Sequence, residues 1–411
     1  MTGDPAVSRR HGARPRIVWV TPFAPAFGKG GGEIRQAHLL RSVAAWADID
    51  LVALGRVDDE IAALCRSVAQ GPSLTDPARR WARRVSDLMW LARPVHPIEV
   101  RRAAAGRQWL AGALAASGAV ESADLFMAEY AMLAPLRALG GRSIAPGSAP
   151  WAITVHNLES TMSAESARLT PRATARWMYE RNAVVARRFE ASLRRAFDAV
   201  IAVSADDAKT LGTSHIVENA ADGDAPPAPL LASTNVIFTG ALHAAPNVHG
   251  IRWFVDEVWP RVIDSVPEAH LHIVGSRPPD AVTDLARRAH VDVHADVISM
   301  APHLHSARVA VVPLFIGSGT RLKALEAMAA GVPVVGTTIG LGGLGVRAGT
   351  DALVADDPWA FAVAIVSLLR DDDLAARMAR AGGAFVSERN LTWHASGTRL
   401  REVLEPLIAT V

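Results

Sequence analysis

At 411 residues the chain exceeds what one hydrophobic core usually organises, so two domains are expected. Half of the residues are apolar, a fifth are charged and the net charge is +2, a balance that excludes a disordered or fibrous chain and gives no whole-molecule attraction to nucleic acid. Cys65 is the single cysteine, which excludes an intrachain disulfide framework and a multi-cysteine metal site and fits a reducing, cytoplasmic setting.

Residues 1–16 are polar and arginine-rich and lack the apolar middle of a secretory signal. No uncharged apolar run is long enough to span a bilayer, so a membrane would be met from the side. Arg16-Ile-Val-Trp-Val-Thr21 reads as a buried strand, ended by Pro22 and followed by the glycine cluster Gly28-Lys-Gly-Gly-Gly32 and an amphipathic helix from Glu33 to about Trp46. Strand, tight loop and helix form the opening unit of a doubly wound α/β domain. Further buried strands are predicted at 49–54, 123–128, 151–155 and 199–203, with helical stretches between them, which implies a parallel sheet.

Residues 220–234, rich in Ala, Pro and Asp, read as a linker between a first domain, 14–219, and a second, 235–390. The pattern then restarts: a strand at 235–240, a helix through Trp253 and Trp259, strands at 270–275 and 309–313, a helix from Arg321 to Ala330 and a strand at 332–335. A closing segment, 391–411, is helical over 392–407. The expected fold class is therefore α/β: two Rossmann-like domains with parallel sheets and a C-terminal helix.

The segment Gly317-Ser-Gly-Thr-Arg-Leu-Lys-Ala-Leu-Glu-Ala-Met-Ala carries chemistry. Gly317 and Gly319 let the backbone approach a ligand, Ser318 or Thr320 suits the cap of the helix that follows, and the helix start is an anion site for which a diphosphate is the natural occupant. Arg321 and Lys323 sit where the helix dipole disfavours cations unless a polyanion is bound. Arginine dominates the basic residues; the lysines are Lys29, Lys209 and Lys323, and Lys29 is expected to face solvent. His156 ends an apolar strand, at the crevice side of a parallel sheet. The pairs His270-Leu-His272 and His303-Leu-His305 invite a metal, but no third ligand is evident and none is expected. Between Asp76 and Arg107, arginine interleaves with tryptophan, leucine and methionine. That is expected to be a solvated face on core-packed helices, with a peripheral membrane contact through 76–107 as the alternative.

The glycine-rich segment, together with Phe238-Thr-Gly-Ala-Leu242, Pro246-Asn-Val-His-Gly250, Ile273-Val-Gly275 and Val155-His-Asn-Leu-Glu159, resembles the family 4 glycosyltransferases, retaining enzymes of the GT-B fold. The resemblance implies two facing domains with a nucleotide-sugar donor held between them. It assigns Glu326 to ribose hydroxyls, Gly31 and Gly32 to the loop under the donor phosphates, His156 to the donor sugar or the developing charge, and Glu159 to the acceptor side. Two departures stand out: Ser318 replaces a frequent glutamate, and Gly240-Ala-Leu-His-Ala-Ala lacks a frequent arginine and lysine. Arg321 and Lys323 are therefore expected to take over the diphosphate, and Ser318 and nearby amides the sugar, with Gly317, Gly319 and Thr320 in the same donor-binding segment.

The function implied is transfer of a sugar from a nucleotide diphosphate, UDP favoured over GDP, to a hydroxyl acceptor with retention. The donor is a co-substrate, with no further cofactor, no metal and no nucleic-acid partner. Two rivals come from other classes: a non-catalytic GT-B subunit that binds a partner transferase, and a nucleotide-sugar epimerase.

Overall fold

In the computed structural model, residues 14–28, 30–74, 96–118, 120–139, 149–221 and 232–409 are described. The first sheet is built from β1 (Arg16–Thr21), β2 (Asp48–Leu54), β3 (Ser67–Gly71), β4 (Leu125–Glu129), β5 (Trp151–Val155), β6 (Ala199–Ala202) and β7 (His215–Ile216). Its order is β3-β2-β1-β4-β5-β6-β7, parallel throughout. The second sheet comprises β8 (Asn235–Ala241), β9 (His270–Ser276), β10 (Val291–Ala295), β11 (Val309–Val312), β12 (Val334–Gly336) and β13 (Leu353–Val354), in the order β10-β9-β8-β11-β12-β13 and again parallel.

The central strands form because their apolar runs are buried on both faces, as parallel strands between helical layers must be. Alternation along β1 divides the first core: Val18 and Val20 pack with Phe126 and Trp151 on one face, while Ile17 and Trp19 pack with Ile49 and Leu51 on the other. That second cluster also contains Leu400, Leu404 and Ile408 of the C-terminal helix Trp393–Ala409. The chain thus returns to the first domain after completing the second. The two crossings are tied by Ala221 N donating to Leu391 O at 3.1 Å and Ser396 Oγ donating to Glu218 O at 3.0 Å.

The two-domain α/β architecture agrees with the sequence expectation, and the departures have physical causes. Helix Gly31–Ala44 begins two residues earlier than expected, so Gly31 and Gly32 form its first turn instead of the end of a loop. The helix expected through Trp253 and Trp259 is continuous but widens into a π turn at Phe254–Val258. Strands β3, β7, β10 and β13 were not foreseen: β7 and β13 have two residues each, and β3 and β10 carry polar residues where a buried run would be apolar. Most of the predicted linker, 222–231, lies outside the described residues, as do Lys29 and residues 76–95 of the basic stretch.

Candidate active site in the interdomain cleft

A cleft of about 930 Å³ lies between the domains. Its walls come from segments that follow β1, β4, β5 and β6 on one side and β8, β9, β10 and β11 on the other. These are the carboxyl ends of parallel strands, where open α/β sheets bind ligands. The cleft collects His156, Gly31, Gly32, Gly317, Ser318, Thr320, Arg321, Lys323 and Glu326; Gly319 lies just behind the wall, and Glu159 is not part of it.

On the first-domain side, His156 follows the last residue of β5. Its Nε2 stands 2.5 Å from Oε2 of Glu129, the last residue of β4 and fully buried. The Tyr130 ring stacks on the imidazole, centroids 3.9 Å apart and planes 8° from parallel. Tyr130 has a φ of 68°, a conformation a bulky residue adopts only when its surroundings hold it there. Gly32 is part of the same packing, since a Cβ on it would lie 2.0 Å from the Tyr130 hydroxyl. Burial holds the His156 pKa below its usual value, against the raising influence of Glu129. The neutral ring keeps its proton on Nε2, facing the carboxylate, so Nδ1 on the Gly32 side is an acceptor.

On the second-domain side, the helix Leu322–Ala329 carries Lys323 and Glu326 into the cleft wall. Lys323 Nζ donates to Asn247 Oδ1 at 2.7 Å and lies 4.1 Å from the centre of the Phe238 ring. Gly240 is small so that the ammonium fits, since a Cβ there would come within 2.8 Å of Nζ. Burial, helped by the charge of Arg321, lowers the Lys323 pKa to about 7, and burial raises Glu326 to about 7.

The loop before this helix departs from expectation. Neither Ser318 nor Thr320 caps it; Arg321 occupies the N-cap position without a side-chain cap bond. Ser318 Oγ instead accepts from Leu158 N at 2.5 Å, and the buried Thr320 hydroxyl has no hydrogen-bond partner. Arg321 is turned back on the loop: its guanidinium donates to the carbonyls of Ser318, Gly319 and Ile339. Gly319 has a φ of 72°, and a Cβ there would stand 2.8 Å from His156 O, so only glycine lets the two domains meet at this point. The Gly317 amide, expected to be open to an anion, donates to Glu165 Oε2 at 2.6 Å.

Glu159 is drawn away from the cleft. Its carboxylate accepts from Asn182 Nδ2 at 2.8 Å and Ser163 Oγ at 3.3 Å, and burial raises its pKa to about 7. The first histidine pair meets a third histidine and one carboxylate: His272 Nδ1 is 3.1 Å from His294 Nε2, and His270 and His272 both flank Asp292. Among the described residues no group of three or more His, Cys, Asp or Glu is arranged to hold a metal ion, and no helix is long and apolar enough to cross a membrane. In the described part of the basic stretch, Arg107 is buried and donates to Val100 O and Met132 O, so it is no part of a solvated face.

Glu129, Tyr130, Asn247 and Glu165 were missed in the sequence. Glu129 had a usable signal, a carboxylate closing the apolar run Leu125-Phe-Met-Ala in the same strand-end position as His156. Glu165, in the middle of a mixed helix, had none.

Comparison with known proteins agrees with this fold. Residues 233–371 match the family Glycosyl transferases group 1. An uncharacterized 44.6 kDa protein in the cps region of Klebsiella pneumoniae is 29% identical over 145 residues, a stretch that covers 33% of this chain and 37% of that protein. Sucrose-phosphate synthase from Thermosynechococcus elongatus superposes with a TM-score of 0.70 at 18% identity, covering 97% of this chain and all of that one. Anabaena HepE in complex with UDP does so with a TM-score of 0.60 at 14% identity, covering 95% and 100%. The architecture is the GT-B fold, and the match over the second domain supports a glycosyltransferase.

Proposed function

We propose that the chain transfers a sugar from a nucleotide diphosphate, with UDP favoured, to a hydroxyl acceptor with retention of configuration. The observation that carries this reading is Lys323: a partly buried cation held by a neutral amide, beside the starts of helices Gly31–Ala44 and Leu322–Ala329. A diphosphate adds negative charge to that of the carboxylate acting on it, Glu326. Glu326, one turn on, is placed for ribose hydroxyls, and the unpartnered Thr320 hydroxyl for a donor oxygen. The UDP and UDP-glucose complexes of Anabaena HepE support the choice of nucleotide.

In the proposed reaction the acceptor hydroxyl attacks the anomeric carbon on the face the phosphate leaves. The new C–O bond forms as the bond to the phosphate oxygen breaks, and the acceptor proton passes to that departing oxygen. Lys323 and the helix starts stabilise the charge that develops there. His156 Nδ1 accepts a sugar hydroxyl, with Glu129 holding the ring in the tautomer that leaves Nδ1 free.

The direct test is thermal unfolding with UDP, GDP and uridine. UDP is expected to raise the melting temperature with EDTA present, because the anchors are protein cations and amides; a ligand at 100 times its Kd adds about 2.7 kcal/mol. An absolute dependence on a divalent ion would overturn this site.

The affinity should also depend on pH. Lys323 must be charged to meet a diphosphate, and its pKa is lowered to about 7 in the empty site. Binding above pH 7 therefore requires proton uptake, and affinity falls by up to about tenfold per unit as pH rises. Glu326, raised to about 7, imposes the opposite limb, because the ionised carboxylate is the better acceptor and is lost below that pH. A bell centred near neutrality is expected for UDP-glucose, whose doubly esterified diphosphate does not titrate in this range. Glu326→Gln should lose the acid limb and, because the Glu326 charge raises the Lys323 pKa, move the alkaline limb to lower pH, as measured by calorimetry from pH 5.5 to 8.5 in buffers of different ionisation heat.

A further inference from the structure

Three residues of the loop that opens the Leu322–Ala329 helix are each held by a different group of the opposite domain. Gly317 N donates to Glu165 Oε2 at 2.6 Å, and Ser318 Oγ accepts from Leu158 N at 2.5 Å. Thr320 O accepts from Asn219 Nδ2 at 3.1 Å. Glu165 differs from the other two. Leu158 acts through its backbone, and Asn219 is held by Arg35. Glu165 is half-buried in the middle of helix Glu159–Leu169, it lies outside the cleft wall, and the hydrogen bond given for its carboxylate runs across the domain boundary.

Arg321 completes the joint. Its guanidinium binds the carbonyls of Ser318 and Gly319 while the carboxylates of Glu165 and Asp207 supply the nearby negative charge. The loop is thus held on its N–H side by Glu165 of the first domain and on its C=O side by its own arginine. Separating the domains would strip the Gly317 N–H of its acceptor and leave the buried Arg321 charge without either counter-charge. The working shape of the loop belongs to the closed arrangement.

We infer that Glu165 is a positioning residue for the transfer reaction, holding Gly317 from the opposite domain so that domain closure sets the donor loop. This rests on the donor reading above, and it places Glu165 outside the nucleotide contacts.

The test uses the full chain in two independent arms. In ligand-free protein, hydrogen–deuterium exchange of the peptide containing Gly317 should be about tenfold or more faster in Glu165→Ala than in wild type, and close to wild type in Glu165→Gln, whose amide oxygen still accepts the bond. With the UDP- or GDP-sugar that wild type turns over best, transfer or slow hydrolysis should fall about 10- to 100-fold in kcat for the alanine variant, with UDP affinity within about threefold and most of the rate restored by glutamine. Unchanged exchange in Glu165→Ala overturns the inference. So does a loss of UDP affinity matching the loss of rate, which would make Glu165 a donor contact, and so does a glutamine variant as impaired as alanine. If wild type binds no nucleotide diphosphate, the donor reading fails, while the exchange arm still decides whether Glu165 holds the loop.

Discussion

Lys323→Ala is expected to weaken UDP binding about 10- to 100-fold while leaving uridine binding nearly unchanged, because a charge-assisted hydrogen bond to phosphate contributes about 1.5–3 kcal/mol. The selectivity follows from geometry: Nζ donates to the neutral amide of Asn247 over the Phe238 ring, a partnership a phosphate can replace at little cost. Arg321→Ala is expected to weaken both ligands, for a different reason. Its guanidinium already serves three loop carbonyls, so its removal deforms the loop on which nucleotide and sugar both depend. Calorimetric titration of the two variants with UDP and uridine separates these cases. Equal losses for uridine and UDP in the lysine variant would move the phosphate site to the Gly31–Gly32 helix start.

His156→Ala should have the largest effect on rate, lowering kcat about 10²- to 10³-fold with a smaller change in donor affinity, the size expected when one preorganised hydrogen-bonding group is lost from a water-poor site. Glu129→Gln probes the same element more finely. An amide in place of the carboxylate can donate to Nε2, which drives the ring proton to Nδ1 and turns an acceptor into a donor at the cleft. If the tautomer matters, the glutamine variant should approach the alanine variant in kcat while keeping its melting temperature. A Glu129→Gln enzyme with wild-type kcat would show that the carboxylate only packs the ring. Pre-steady-state turnover separates this from slow product release.

The two-domain plan was legible because buried parallel strands leave unbroken apolar runs between helical stretches, and β1, β5 and β8 were found nearly to the residue. Edge strands left no such trace: β7 is a pair of half-buried residues, His215 and Ile216. In the site, Lys323 could be read because a cation at a helix start opposes the helix dipole and needs a reason, and Glu326 through the resemblance of its segment. Arg321 shows the limit of that logic. The same rule singled it out, yet its guanidinium serves carbonyls of its own loop and of Ile339. Glu165 was invisible for a complementary cause: its partner, the Gly317 amide, lies on the other domain, and no periodicity records a bond that long-range folding creates.

The return of the chain also has a consequence for biosynthesis. The core of the first domain is completed only by Leu400, Leu404 and Ile408, which are synthesised after the whole second domain. At ordinary elongation rates of about 5–20 residues per second, the first sheet waits roughly ten to forty seconds with one apolar face unsealed. The second domain, contiguous in sequence, is able to fold within that interval. Loss of the last helix should therefore harm the domain made first and spare the one made second.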